Sequence, residues 1–238
     1  MTQIQIKGAI VSDSDKWLYD FYEMESTAPK DILLPQDNSD IEVVINSGGG
    51  DVYAGSEIYT ALKSYQGNVA VKIVGIAASA ASVIAMAGKS VEISPTAQIM
   101  IHNVSTVAQG DSKILKHEAD VLENYNKSIA NAYVLKTGLS QEELLSLMDT
   151  ETWLTAGQAV EKGFADKVMF AEDEMAQMVA SNTEVLPQNF VKMQNMQRQD
   201  FENKQNELIK RIEILENALI NKTKQEQEVP KGFGAFTF

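Results

Sequence analysis

Short apolar segments alternate with amphipathic segments along the first two thirds of the chain. Dense or alternating apolar residues predict strands at residues 4–10, 41–46, 69–74, 91–93 and 98–101. Apolar spacings of three or four, and for the third segment an alanine-rich composition, predict helices at residues 14–25, 53–65, 75–88 and 112–136. This alternation indicates an α/β domain that ends near Phe170.

Turn-forming and capping residues separate these elements. Residues 26–40, STAPKDILLPQDNSD, contain two prolines and are predicted to form a loop. Asp111 or Ser112 is the expected N-cap of the long helix. Two further pairs match the capping box and predict helix starts, namely Ser140 with Glu143 and Thr155 with Gln158.

The composition changes after the α/β domain, so we divide the chain into a domain at 1–170 and a polar tail at 171–238. Residues 188–228 are rich in Gln, Asn, Glu and Lys and contain neither glycine nor proline. A near-heptad apolar spacing predicts a coiled-coil-like helix near 189–226, formed around Phe201, Leu208, Ile212, Leu215 and Leu219. An amphipathic helix that packs on its own domain fits the same spacing.

Charge and composition narrow the possible partners. The 238 residues carry a formal net charge of −13 with scattered basic residues, which argues against nucleic acid or an anionic membrane as the main partner. The absence of cysteine excludes disulfides and thiolate metal sites and fits a cytoplasmic, reducing setting. The chain has no apolar run of membrane-spanning length, and its start lacks the apolar core of a signal peptide.

Few residues are candidates for chemistry. Of the two histidines, His102 ends an apolar strand, where it either projects into a cleft or is a hydrogen-bonded core or rim residue, whereas His117 lies on the charged side of the long helix. Ser79 falls near a strand-to-helix junction, where it serves either as a simple helix cap or as a nucleophile beside free N–H groups. Ser82 lies about one turn deeper and is expected to be buried.

A glycine triplet at residues 48–50 closely follows the predicted strand at 41–46. Glycines at such a point allow backbone N–H groups to approach a ligand closely, as an oxyanion site requires. The surrounding NSGGGDVYAG lacks the ending of a P-loop and the spacing of a dinucleotide-binding loop. The triplet is therefore a candidate anion site of another kind.

Taken in order, these motifs resemble the proteolytic subunit of the Clp protease, ClpP, a serine peptidase family of the ClpP/crotonase fold. The motifs are most similar to those of the ClpP-like head-maturation proteases of phages and prophages. Five stretches carry the resemblance: INSGGGDVYAG at 45–55, GIAASAASVIAMAG at 75–88, MIHN at 100–103, KTGLSQEEL at 136–144 and ETWLTAGQAVEKGFADKV at 151–168.

The resemblance implies an α/β domain of stacked sheets with flanking helices and a serine endopeptidase activity without cofactor or metal. It places the nucleophile at Ser79 and the general base at His102. It assigns oxyanion N–H groups to Gly49 and Ala80, and substrate contacts to Gly48 and Gly50.

This sequence departs from the family pattern at two points. Gly48 replaces the usual proline before the paired glycines, which loosens the loop but removes no N–H donor. The aspartate of the family's triad aligns with Glu151, whose extra methylene changes its reach. Asp149 is the alternative orienting acid, and the alignment favours Glu151.

The resemblance also implies a homo-oligomer, heptameric or double-ringed, with the helix at 112–136 joining the rings. Implied substrates are peptides and proteins such as phage capsid or scaffold proteins. The chain begins almost at its first strand, so the axial segment that meets an AAA+ unfoldase is expected to be largely absent, which argues against that partner.

Three other classes of protein share parts of this pattern. A catalytically weak assembly or scaffold protein would keep the fold, and Gly48, Glu151 and the helical tail allow that reading. An acyl-CoA enzyme of the crotonase group needs no Ser–His pair. Signal-peptide peptidases of the superfamily use a serine–lysine dyad, which His102 disfavours.

Overall fold

The computed structural model of the protein describes residues 1–171. The coiled-coil-like helix predicted near 189–226 and the rest of the predicted tail at 172–238 lie outside the described residues. Within the described part, no helix combines the length and the apolar character that crossing a membrane requires.

The described residues form one sheet flanked by helices. Its strands are β1 (Thr2–Ile10), β2 (Ser26–Thr27), β3 (Ile41–Gly50), β4 (Val69–Ala78), β5 (Ser90–Ile93), β6 (Gln98–Ile101), β7 (Thr152–Thr155) and β8 (Lys167–Val168). The main order is β2-β1-β3-β4-β5-β8, and all its pairs are parallel. Strand β6 pairs in parallel with the far end of β4 and antiparallel with β7.

Helices cover the sheet and follow its strands. They are α1 (Lys16–Phe21), α2 (Val52–Ser64), α3 (Ala80–Ala85), α4 (Ser112–Thr137), α5 (Gln141–Asp149) and α6 (Ala156–Glu161), with a 3-10 turn at Pro29–Asp31. The predicted caps are present. Asp111 accepts from two N–H groups of α4, Ser140 accepts from the Glu143 N–H, and Thr155 and Gln158 form a reciprocal capping box.

The core lies between the central strands and the helices α2 and α3. Every second residue of β3 is buried, beginning with Ile41, Val43 and Ile45, so one face of this strand packs inward. Helix α2 approaches α3 so closely that a Cβ on Gly55 would lie 2.9 Å from the Cβ of Ala80. Small residues at this contact hold the start of α3 against the sheet edge.

The predicted helix at 75–88 is wrong over its first four residues. Strand β4 continues to Ala78, because residues 76–78 pair with Gln98–Met100 of β6, and α3 spans only Ala80–Ala85. A short run of small apolar residues fits a buried strand as well as a buried helix, so tertiary pairing decides between them. The strand predicted at 69–74 is correspondingly too short.

Three other predicted elements differ from the structure in their boundaries. The glycine triplet, which was predicted to follow a strand ending at residue 46, forms the extended end of β3, where Gly49 and Gly50 pair with Ala9 and Ile10 after a register shift. The predicted helix at 14–25 shrinks to α1, which buries none of its residues. Part of the loop predicted at 26–40 forms β2 and the 3-10 turn.

Candidate active site

Ser79 is placed between β4 and the first turn of α3. It is half-buried and has φ +53° and ψ −126°, a conformation that L-residues rarely adopt. Its backbone N–H donates to the carbonyl of Met100 on β6 over 2.9 Å. The serine hydroxyl is therefore presented at a sharp strand-to-helix turn that is fastened to the neighbouring strand.

His102 directly follows β6, whose residue Met100 pairs with Ala78 at the end of β4. This pairing places the strand ends side by side, and His102 Nε2 lies 2.8 Å from Ser79 Oγ. The two predicted residues therefore meet, although 23 positions separate them in the sequence. A serine hydroxyl in hydrogen-bond contact with an imidazole is the arrangement needed to activate a nucleophile.

The glycine strand end lies against the serine turn. Gly49 has φ +89°, and a Cβ there would lie 2.6 Å from the carbonyl oxygen of Ala78 and 2.7 Å from Ser79 Cβ. Only glycine fits at this approach. The N–H of Gly49 points to the Oγ of Ser47 over 3.1 Å, while the N–H of Ala80 has no acceptor within residues 1–171.

The other two glycines of the triplet differ in their surroundings. Gly50 has φ +150°, and a Cβ there would lie 2.2 Å from the Ile10 carbonyl oxygen, so it packs on β1. Gly48 is exposed, and a Cβ there would meet no atom within 4 Å. The described part of the chain therefore leaves room for a ligand beside the strand end at Gly48.

The two candidate acids occupy different places. Antiparallel pairing of Ile101 with Thr152 sets Glu151 opposite His102 when the register is continued by one residue. The Glu151 carboxylate accepts from the Trp153 indole N–H over 3.2 Å. Within residues 1–171, no hydrogen bond joins either candidate carboxylate to His102.

Asp149 instead contacts the residue after the histidine. Its Oδ1 accepts from Asn103 Nδ2 over 2.8 Å, while Asn103 Oδ1 is buried without a partner in the described part of the chain. Asp149 therefore anchors the segment that follows His102. Of the two candidate acids, Glu151 is the one whose backbone lies opposite that of His102.

Two further sequence candidates lie where they were expected. His117 is exposed on α4, and Ser82 is completely buried, with its hydroxyl donating to the Ser79 carbonyl over 2.6 Å. Ser82 Oγ also lies 2.8 Å from the Tyr133 hydroxyl on α4. Ser82 is thus a neighbour of the candidate nucleophile and has no access to a substrate.

The sequence reasoning missed Ser47 and Tyr133. Ser47 falls on the inward face of β3 by strict alternation from Ile45, so a polar residue at that position was a usable signal. Tyr133 is 1% exposed, and burial raises the pKa of its phenol, which keeps it protonated. Its position among apolar residues of the long helix was consistent with simple core packing.

An aromatic pair borders the start of α2, next to the glycine strand end. Tyr53 and Tyr125 meet edge to face with ring centroids 5.1 Å apart. The pKa of Tyr125 is raised to about 12, first by a side-chain hydrogen bond with Tyr53 that favours the neutral Tyr125 phenol, and then by burial and by the charges of Tyr53 and Asp51. No group of three metal-ligating side chains converges anywhere in residues 1–171.

Comparison with known proteins agrees with this geometry. A model of the Clp protease family matches residues 30–172. The ATP-dependent Clp protease proteolytic subunit of Bacteroides fragilis is 34% identical over 132 residues, 55% of this chain and 64% of that protein. The proteolytic subunit 1 of Streptomyces avermitilis is 34% identical over 149 residues, 60% of this chain and 68% of that protein.

A solved structure has the same fold. A point mutant of ClpP1 from Listeria monocytogenes superposes with a TM-score of 0.59 at 24% identity, covering 70% of this chain and 90% of that one. The chain spans 64% of the length of the Bacteroides fragilis relative. With more than half of its residues matched by the family model, the chain belongs to the Clp protease family.

Proposed function

We propose that the protein is a serine endopeptidase in which Ser79 is the nucleophile and His102 the general base. The observation that carries the proposal is the 2.8 Å contact between Ser79 Oγ and His102 Nε2. This contact coincides with a left-handed backbone at Ser79, directly before α3. Family membership and the proteolytic subunits among the relatives support a peptidase.

The proposed reaction follows from the placement of these atoms. His102 Nε2 takes the proton from Ser79 Oγ as the oxygen attacks a peptide carbonyl and forms a tetrahedral adduct. The same imidazole then gives that proton to the leaving amine, which leaves an acyl group on Ser79. Water, deprotonated by His102, hydrolyses this ester and restores the serine.

Negative charge on the adduct needs donors near Ser79. The N–H of Ala80 is the first proposed donor, and its lack of an acceptor within residues 1–171 supports this role. The N–H of Gly49 is the second proposed donor. It must break its hydrogen bond to Ser47 Oγ before it can donate to the oxyanion. We propose that the substrate backbone binds along the exposed strand end at Gly48 and Gly50.

We further propose Glu151 as the acid that orients His102. Its position opposite His102 across the β6–β7 ladder supports this role. Contact requires the Glu151 side chain to leave the Trp153 indole and turn toward the imidazole. Asp149 is disfavoured because it lies two residues away from the position opposite His102 and its carboxylate accepts from Asn103.

We also propose that the protein assembles into a ring and acts on phage proteins. Helix α1 buries no residue and exposes Trp17 and Phe21, 64% and 71% of their surfaces, which supports contact between copies in a ring of family type. The motif pattern of residues 45–103 supports phage head or scaffold proteins as substrates. The cysteine-free composition supports action in the host cytoplasm.

A fluorogenic peptide assay tests the peptidase proposal. Wild-type protein should release the fluorophore, and Ser79→Ala should remove this activity while the assembly state stays the same. Mass spectrometry of protease co-expressed with a capsid protein extends the test to the proposed substrate class. Equal hydrolysis by wild type and Ser79→Ala would refute the nucleophile, whereas an inactive wild type that assembles would favour the alternative scaffold role.

A further inference from the structure

A buried chain of hydroxyl groups connects α4 with the turn that carries Ser79. Ser82 is fully buried and Tyr133 is 1% exposed, and their oxygen atoms are 2.8 Å apart. Ser82 Oγ is also 2.6 Å from the carbonyl oxygen of Ser79. The three groups form a continuous path from the long helix to the backbone of the candidate nucleophile.

The donor of each hydrogen bond among these three groups follows from the number of hydroxyl protons that are available. A carbonyl oxygen only accepts, so the single hydroxyl proton of Ser82 is committed to Ser79. The contact between Ser82 and Tyr133 therefore uses the phenolic proton, which Tyr133 donates to Ser82 Oγ. Burial raises the pKa of the Tyr133 phenol, so the donor keeps its proton in neutral and mildly alkaline solution.

The carbonyl that receives this chain belongs to a backbone in an unfavourable conformation. A non-glycine residue with φ +53° and ψ −126° persists only where its surroundings hold it. On one side, the Ser79 N–H is held by the Met100 carbonyl. On the other, the Ser79 carbonyl accepts from the Ser82 hydroxyl and from the N–H groups of Ser82 and Val83, at 2.9 and 3.4 Å.

We propose that Ser82 and Tyr133 are positioning residues, which hold the Ser79 backbone so that its Oγ stays aligned with His102 Nε2. This inference rests on the proposed function of Ser79 as nucleophile. Neither residue touches substrate, since both are buried, and each acts through the carbonyl of Ser79. Tyr133 fixes the rotamer of the Ser82 hydroxyl, and Ser82 fixes the turn.

Removing the two hydroxyls separately and together distinguishes positioning from simple core packing. Ser82→Ala leaves the Tyr133 hydroxyl buried without a partner, which lowers stability, whereas the double variant Ser82→Ala/Tyr133→Phe removes that unpaired group. Stability should therefore partly recover in the double variant. A positioning role predicts that reactivity does not recover, because the bond to the Ser79 carbonyl is missing in both variants.

The reactivity to measure is the second-order rate at which a fluorophosphonate labels Ser79. We expect Ser82→Ala and the double variant to be slowed about tenfold, the size of one net hydrogen bond expressed as a rate. Tyr133→Phe alone should be slowed about threefold, since Ser82 keeps its bond to Ser79. Tyr65→Phe is the matched control, because the Tyr65 hydroxyl donates to the Ser39 carbonyl away from this turn.

Hydrogen–deuterium exchange of the peptide covering residues 76–83 gives a readout that does not depend on reactivity. Exchange should be faster in Ser82→Ala and in the double variant than in wild type, and unchanged in Tyr65→Phe. Labelling and exchange that return to wild-type values in the double variant would overturn the positioning role. An unlabelled wild type would contradict the proposed nucleophile, and the exchange data would then decide the structural part of the inference.

Discussion

His102 Nε2 lies 2.8 Å from Ser79 Oγ, and the same pair of strands fixes both residues. Ser79 donates its N–H to Met100, two residues before His102, so the serine is tied by its backbone to the strand that delivers the histidine. The contact is therefore a property of the β4–β6 pairing and does not depend on two freely placed side chains.

Replacing the acid opposite the histidine should slow the reaction of Ser79. Glu151→Gln keeps the shape of the side chain but loses the charge that stabilises an imidazolium, so labelling by a fluorophosphonate should fall about 100-fold. Asp149→Asn is the matched control and should fall less than about tenfold, because Asp149 faces Asn103. A larger loss of labelling rate in Asp149→Asn than in Glu151→Gln would identify Asp149, and not Glu151, as the orienting acid.

Removing the hydrogen bond between Glu151 and the Trp153 indole tests the proposed role of Glu151 independently. Trp153→Phe removes the N–H that Glu151 accepts but keeps an aromatic ring in the half-buried position. Labelling of Ser79 should proceed at least as fast as in wild type, since the carboxylate becomes free to turn toward His102. A marked fall in the rate, with an unchanged melting temperature, would show that the bond to Trp153 serves the site.

The glycine strand end offers a matched pair of substitutions. Gly49→Ala puts a Cβ 2.7 Å from Ser79 Cβ at a residue with φ +89°, and the backbone strain alone costs about 1–3 kcal/mol. Both the unfolding free energy and the labelling rate should fall. Gly48→Ala points into open space and should change neither measurably, and equal effects at the two positions would contradict the described approach of β3 to Ser79.

A carboxylate on the outer face of the sheet should make a pH-dependent contribution to stability. The pKa of Glu42 lies below its usual value because its side chain accepts from Lys72 and from Gln3. A lowered pKa in the folded state stabilises the protein above the usual carboxyl pKa, and this stabilisation disappears as the pH falls through the lowered value.

Melting temperatures of Glu42→Gln and wild type test this contribution. At neutral pH the melting temperature of Glu42→Gln should be lower than that of wild type. This difference in melting temperature should shrink toward zero in acid, below the lowered pKa of Glu42. The shift is expected to be small because the Lys72 side chain is 39% exposed, so water screens this ion pair. Glu57→Gln is the control, as Glu57 is exposed and outside the ion pairs of residues 1–171. A difference that grows in acid would contradict the lowered pKa.

The exposed aromatic side chains of α1 give a prediction about assembly. Trp17→Ser/Phe21→Ser removes the largest apolar side chains of a helix that buries nothing within the described protomer. If copies meet on this helix, the oligomer should dissociate or shrink in analytical ultracentrifugation, while the protomer keeps its circular dichroism. An unchanged sedimentation coefficient would place the contact elsewhere.

The family resemblance, more than the strand and helix pattern, paired the two central residues. It assigned Ser79 and His102 to one site, and the structure places Ser79 Oγ 2.8 Å from His102 Nε2. Strand ends and helix ends were harder to place. Residues 75–78 contain no polar alternation, so their pairing with β6, rather than any local preference, makes them a strand.

Side-chain orientation set the other limit on what the sequence could predict. Spacing aligned Glu151 with the acid of the family, but its present bond to Trp153 depends on rotamers and on φ +47° at Glu151. The resemblance assigned the N–H of Gly49 to the oxyanion site, but it gave no sign that this N–H donates to Ser47 Oγ in the structure. Such hydrogen bonds arise from packing in three dimensions and have no periodic signature along the chain.

Mapping the adduct of a fluorophosphonate on the 238-residue protein tests the proposed nucleophile most directly. Peptide mass spectrometry should find one modified serine, Ser79, and the adduct should be absent from Ser79→Ala and strongly reduced in His102→Ala. Labelling that persists in Ser79→Ala, or that maps to another serine, would contradict the proposed nucleophile.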